Sequence, residues 1–109
     1  MSDSALPEVD SDQALALVTG GAYLLDVREQ NEWDTAHAPT AVLLPMSVIQ
    51  DRVDEIPLDR TVYVVCHSGA RSARVAAILR SEGVDAVNIA GGMLAWQAVG
   101  GEVVASSAT

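Results

Sequence analysis

With 109 residues, half of them hydrophobic, the chain is long enough for one domain around one real core. Its formal net charge is −9 and all its cations are arginines, so no basic patch exists to hold nucleic acid. No apolar run approaches membrane-spanning length, and the stretch from Met1 to Glu8 lacks the basic start and apolar core of a secretory signal; neither a membrane nor export is expected.

In chain order, residues 1–7 read as a flexible leader. Asp10-Ser11 can cap a short helix through Ala14, Leu15, Leu17 and Val18, which Gly20-Gly21 stops. Ala22 to Val27 reads as a strand with Leu24 and Leu25 buried. Arg28 to Trp33 reads as a polar turn or short helix, followed by a loop through His37-Ala38-Pro39. Val42 to Leu44 is a short strand ended by Pro45, and a helix is expected from Ser47 to about Ile56, stopped near Pro57. Thr61 to Val65 is β-branched and apolar enough to be the central strand. A helix follows from Ser72 to Glu82, then a strand from Ala86 to Ile89 and a last helix from Met93 to Val99. Ala105 to Thr109 reads as a polar tail, leaving residues 8–104 as the domain. Strands alternating with helices at these spacings argue an α/β fold, a parallel sheet covered on both faces. The few large side chains, Trp33, Trp96, Tyr23 and Tyr63, are expected to fill the core with Leu, Val, Ile and Ala.

Cys66 is the only cysteine. It stands where the central strand meets the small polar loop His67-Ser68-Gly69-Ala70, closed by Arg71 and Ser72. Backbone N–H groups in such a turn, with the positive end of the following helix, make a concave anion site. A thiolate there is stabilised: free cysteine titrates near ~8.5, and helix N-termini beside a cation bring it to roughly 3.5–7.5. The competing reading is a small hydrophobe ending a core strand. Gly69, Arg71 and Ser72 within one short loop favour the reactive one. A single cysteine allows no internal disulfide and fits a reducing cytoplasm. It also excludes a Cys-x-x-Cys dithiol or cysteine-rich zinc site, and no metal or other cofactor is expected.

Four stretches now come together: Leu24-Leu25-Asp26-Val27-Arg28-Glu29 with Glu32-Trp33; Ala36-His37-Ala38-Pro39; Val64-Val65-Cys66-His67-Ser68-Gly69-Ala70-Arg71-Ser72; and Ile89-Ala90-Gly91-Gly92-Met93-Leu94-Ala95-Trp96. In this order they resemble a single-domain rhodanese, a sulfurtransferase, over roughly Pro7 to Val104. The resemblance implies a doubly wound, mostly parallel five-stranded sheet with helices on both faces. It also implies that Cys66 becomes a persulfide by taking sulfur from a small anionic donor such as thiosulfate and passes it to a thiol, cyanide or a protein acceptor. The chain departs from the usual Gly-His-Ile-Pro-Gly-Ala at Ala36 to Ala41, and His67 stands where relatives often carry arginine.

In that chemistry Cys66 is the catalytic residue, and His67, Ser68, Gly69, Ala70, Arg71 and Ser72 form the substrate-binding loop. Arg71 either points at the substrate or turns back to a carboxylate, Asp26 or Glu32. Arg28 reads as a structural clamp or surface pair with Glu29 or Glu32, Ser72 as a helix cap, His67 and His37 as loop residues, and Met93 first as core packing beside the loop, with lining of its mouth as the alternative. Two other readings stand beside it. One is a carrier or partner-docking module. The other is a cysteine-dependent phosphatase, whose loop resembles Cys-x5-Arg, whereas four residues separate Cys66 from Arg71 here.

Overall fold

The structure, a computed structural model, describes residues 6–106. The outer parts of the expected leader and tail, residues 1–5 and 107–109, lie outside the described residues. Five strands form one sheet: β1 (Glu8–Val9), β2 (Tyr23–Asp26), β3 (Val42–Leu43), β4 (Val62–Val65) and β5 (Ala86–Ile89). They are arranged β1-β5-β4-β2-β3, and every pairing is parallel. Four helices accompany them: α1 (Ser11–Thr19), α2 (Gln30–Thr35), α3 (Ala70–Ser81) and α4 (Gly92–Ala98).

The period-two alternation of strand side chains builds two apolar layers. Leu24 and Val65 face one side, where they pack with Ala14, Val18, Ile89, Met93 and Trp96 from α1, β5 and α4. Leu25 and Val64 face the other, against Val75, Ala76 and Leu79 of α3 and against Ile49 and Ile56. This is the doubly wound arrangement expected. After β2 the chain moves outward to β3; after β4 it moves the other way to β5. The topological switch point therefore falls between the carboxyl ends of β2 and β4, where open α/β sheets place their sites.

Several local expectations differ. The helix expected from Ser47 to Ile56 is two short 3₁₀ segments, Met46–Asp51 and Val53–Glu55. Its β-branched Val48, Ile49 and Val53, confined between Pro45 and Pro57, do not sustain a longer α-helix. α3 begins at Ala70, not Ser72, because Gly69 takes the cap position at φ 108°. Ser72 thus lies inside the helix and is not its cap. Only two residues long, β1 has no periodicity to reveal it. Leu6 packs against the core, and the Pro7 carbonyl accepts from Asn88 N–H. Trp33 is half-buried and stacks on His37, centroids 3.6 Å apart, instead of filling the core; Trp96 does fill it, donating from Nε1 to the Glu102 carbonyl. No helix among the described residues is long and apolar enough to cross a membrane.

Gly92, at φ 58°, lets α4 approach the cysteine loop: a Cβ there would lie 2.5 Å from the Cys66 carbonyl oxygen and still closer to that of His67. Gly83, at φ 91°, has nothing within 4 Å of the same position. Gly92→Ala should therefore destabilise by about 2–4 kcal/mol, strain and clash together, against about 1 kcal/mol for Gly83→Ala from strain alone. Urea unfolding of the two variants measures the difference, and equal losses would contradict this account of the α4 approach.

Candidate active site around Cys66

The loop leaving β4 is shaped from outside by α4. Met93 N–H donates to the Cys66 carbonyl at 2.7 Å, and Leu94 N–H to the His67 carbonyl at 3.1 Å. Across a trans peptide the N–H points opposite to the C=O. Turning the His67 carbonyl toward α4 therefore turns Ser68 N–H inward. The Cys66 sulfur receives Gly69 N–H at 3.1 Å and has the Ser72 hydroxyl at 3.3 Å, with the N–H groups of Ser68 and Ser72 also directed at it. The twelve-residue α3 starts here and adds the positive end of its dipole.

Burial pushes the Cys66 thiol up. The Ser72 hydroxyl and the N–H groups of Ser72, Gly69 and Ser68 outweigh that penalty and bring it below its ordinary value. Cys66 is only 1% exposed, so the sulfur sits at the base of the loop beneath exposed His67 and Ser68. Beside the loop, reaching His67 but not Cys66 itself, opens a cleft of about 340 Å³ lined by Arg28, Asn31, Glu32, Thr35, His67 and Met93, among others. Met93 is nearly buried in the core, the role the sequence favours for it, and also contributes to the cleft wall.

Both arginines near the loop are engaged with carboxylates. Arg71 makes a bidentate pair with Glu32, each bond 2.8 Å, so its guanidinium is turned back to a carboxylate. The Glu32 carboxylate also accepts from Glu29 N–H at 3.1 Å. Arg71's hydrogen bonds are the chief reason the Glu32 carboxyl is lowered to about 2, and Arg71 is raised in return. Arg28 pairs with Asp26, not with the Glu29 or Glu32 carboxylate. Its Nη2 lies 2.7 Å from Asp26 Oδ2 and its Nε 3.0 Å from Oδ1, with both residues buried. The same guanidinium donates to the Ala36 carbonyl at 2.7 Å and reaches that of Glu32 at 3.5 Å, which holds the end of α2.

Ser68, Gly69 and Ser72 thus converge on the Cys66 sulfur, while Asp26, Arg28, Glu32 and Arg71 form the frame. Ala70 is exposed in the first turn of α3, and His67 faces the cleft. His37 is tied down away from the sulfur, its Nδ1 2.8 Å from the Trp33 carbonyl. Two residues unnoticed in the sequence belong to the neighbourhood: Asn88, whose Oδ1 lies 2.6 Å from Ser72 Oγ, and Glu8, which accepts from Asn88 Nδ2 at 2.8 Å. The available signal was an asparagine at a core-facing register of an otherwise apolar strand. Among the described residues no three histidine, cysteine or carboxylate side chains are grouped to hold a metal ion.

The family described as rhodanese-like domain matches residues 10–99. A protein named sulfurtransferase from Allochromatium vinosum is 41% identical over 102 residues, covering 90% of this chain and 94% of its own length. A putative sulfur carrier protein, YrkF, from Bacillus subtilis is 36% identical over 90 residues; the match takes in 82% of this chain but spans only 45% of that relative. The crystal structure of a rhodanese-like domain protein from Staphylococcus aureus superposes with a TM-score of 0.84 at 32% identity, over 94% of this chain and all of that one.

The Glu32–Arg71 pair makes a pH-dependent contribution to stability. With its folded value at about 2, Glu32 lies below the ~4.3 of an unfolded glutamate, so its contribution is complete above that value and is lost as pH falls toward 2. Glu32→Gln should cost about 1–2 kcal/mol at pH 7, between an exposed and a buried pair, because both side chains are about a third exposed. In unfolding titrations the gap between the two proteins should close below pH 4. A gap independent of pH would contradict the assignment.

Proposed function

Because the chain belongs to the rhodanese-like domain family, matched over residues 10–99, we propose that it is a sulfurtransferase working through a persulfide on Cys66. The observation that carries this reading is the convergence of Gly69 N–H at 3.1 Å, the Ser72 hydroxyl at 3.3 Å and the N–H groups of Ser68 and Ser72 on one sulfur. Such fixed donors favour a sulfur anion as an oxyanion hole favours an oxygen anion.

The thiolate attacks the outer sulfur of a donor such as thiosulfate. A Cys66–sulfur bond forms as the donor's sulfur–sulfur bond breaks, and sulfite leaves with the electron pair. The product is a persulfide anion on Cys66. An acceptor thiolate, or cyanide, then attacks the outer persulfide sulfur, takes it away and returns the Cys66 thiolate. No proton need be moved by a general base. The donor is a small anion recognised by loop amides and the α3 terminus, with His67 the exposed side chain next to them. A thiol or protein acceptor approaches through the cleft beside Met93. The free thiol must stay reduced to act, which suits the cytoplasm.

Phosphate-ester hydrolysis is disfavoured by Arg71. In that chemistry its guanidinium would hold the phosphate, whereas here both of its arms lie on Glu32. The carrier reading draws support from the name of the Bacillus subtilis relative and differs only in where the sulfur goes.

Reduced protein incubated with thiosulfate and weighed intact should gain one sulfur that cyanide removes, and Cys66→Ala should gain none while keeping its fold. An unchanged mass in the native sequence would overturn the proposal. A sulfur that loads but never passes to cyanide or a small thiol would favour the carrier. The alkylation rate of Cys66 should rise with pH to a midpoint below the free-cysteine value of ~8.5, following the lowered thiol; a midpoint at or above it would contradict the role of the loop donors.

A further inference from the structure

Asn88 occupies a place where an apolar residue would be ordinary. Parallel register sets it beside Val64 of β4 on one side and Glu8 of β1 on the other, so the three side chains emerge in a row toward α3, beneath Ser72. Its Nδ2 donates to Glu8 Oε2 at 2.8 Å and lies 3.5 Å from the Gly69 carbonyl. Both neighbours are acceptors, so the amide cannot be reversed, and Oδ1 must face Ser72 Oγ at 2.6 Å. Two oxygens that close need a hydrogen between them, and only Ser72 has one to give. That same hydrogen is the one within reach of the Cys66 sulfur, 3.3 Å from Ser72 Oγ, and of the Gly69 carbonyl, also 3.3 Å away; the Asn88 oxygen is the nearest of the three acceptors.

We propose that Asn88, oriented by Glu8, is a positioning residue that competes with the Cys66 sulfur for the single hydroxyl hydrogen of Ser72. The consequence for sulfur transfer rests on the persulfide reading above. When Cys66 is a thiol, Ser72 donates to Asn88 and turns a lone pair toward the S–H group. When Cys66 is a thiolate, the hydrogen swings to sulfur and the Asn88 carbonyl loses its donor. In the persulfide the charge lies on the outer sulfur, and Ser72 can return to Asn88. The asparagine therefore opposes the bare thiolate while leaving the loaded state untaxed, which keeps the nucleophile less stabilised and more reactive. Glu8, with its negative charge on the far side of the amide, makes the Asn88 carbonyl the stronger competitor.

Other charged groups also surround the sulfur. Arg71 from α3 attracts its charge, with Glu32 of α2 behind it. His67 stands next to it in the loop, and the mutually paired Asp26 and Arg28 lie at the end of β2. The first turn of α4 brings the loop backbone N–H groups. None of these side chains is a hydrogen-bond partner of Glu8 or Asn88 among the described residues.

The test follows the ultraviolet absorbance of the thiolate against pH, for Asn88→Leu and Glu8→Gln, each in the native sequence and with Ser72→Ala. Asn88→Leu should lower the Cys66 midpoint by roughly half to one pH unit, the size of one hydrogen bond released to an anion, and Glu8→Gln by less. Both shifts should vanish when Ser72 is alanine. A midpoint that stays or rises in the single variants overturns the proposal, as does a shift of equal size without the Ser72 hydroxyl, which would mark a through-space charge effect. Glu8 is exposed at the sheet edge, so Glu8→Gln keeps the test available should Asn88→Leu fail to fold. The titration needs no sulfur donor. A protein that refuses sulfur would overturn the persulfide reading, while the midpoints would still decide the role of Asn88.

Discussion

Two backbone hydrogen bonds from the first turn of α4, to the carbonyls of Cys66 and His67, fix the direction in which the cysteine loop presents its dipoles. Carbonyls drawn outward leave N–H groups facing inward, and the sulfur at the centre meets donors instead of lone pairs. The grip depends on backbone approach at Gly92, where any side chain would collide with the loop. Gly69 contributes from the other end, taking a left-handed conformation that lets α3 begin two residues before Ser72. The chemistry of one side chain is thus set by the packing of two helices that start on opposite sides of it.

Charge is used around this loop mainly for architecture. Arg28 is consumed by Asp26 and the final carbonyls of α2; Arg71 is consumed by Glu32 on the same helix. α2 is thereby fastened to β2 at one point and to α3 at another, which fixes one wall of the cleft beside the loop. With both guanidinium groups committed to carboxylates, the groups that touch the sulfur are neutral dipoles acting at contact distance. The chain's net charge of −9 acts at longer range and is screened beyond about 8 Å at physiological salt.

Much of this was legible in the order of residues. The strand before Cys66, the glycine-containing turn and the amphipathic helix after it follow from periodicity, and the Asp10 cap of α1 is realised with Gln13 as its reciprocal partner. Misreadings arose where local pattern was weak. The run from Ser47 to Ile56 carries a helical spacing of apolar residues, yet β-branched side chains between two prolines settle into 3₁₀ turns. Ser72 resembles a cap because serine usually is one, and only the positive φ of Gly69 shows that the cap lies earlier. Trp33 resembles a core residue by type, but α2 is too short and too polar to bury it, and it stacks on His37 instead.

Sequence alone singled out Cys66, the strand and helix that flank it and the α/β class, because these are written in contiguous stretches whose spacing has a direct physical meaning. It also named Asp26, Arg28, Glu32 and Arg71, the charged residues that frame the loop, but not Glu8. Only the tertiary structure decided the pairings: Arg28 with Asp26, Arg71 with Glu32, and Asn88 between Glu8 and Ser72. Those choices depend on parallel strand register and on how helices dock, which bring together groups as far apart along the chain as Glu8 and Asn88. No local pattern encodes such distances.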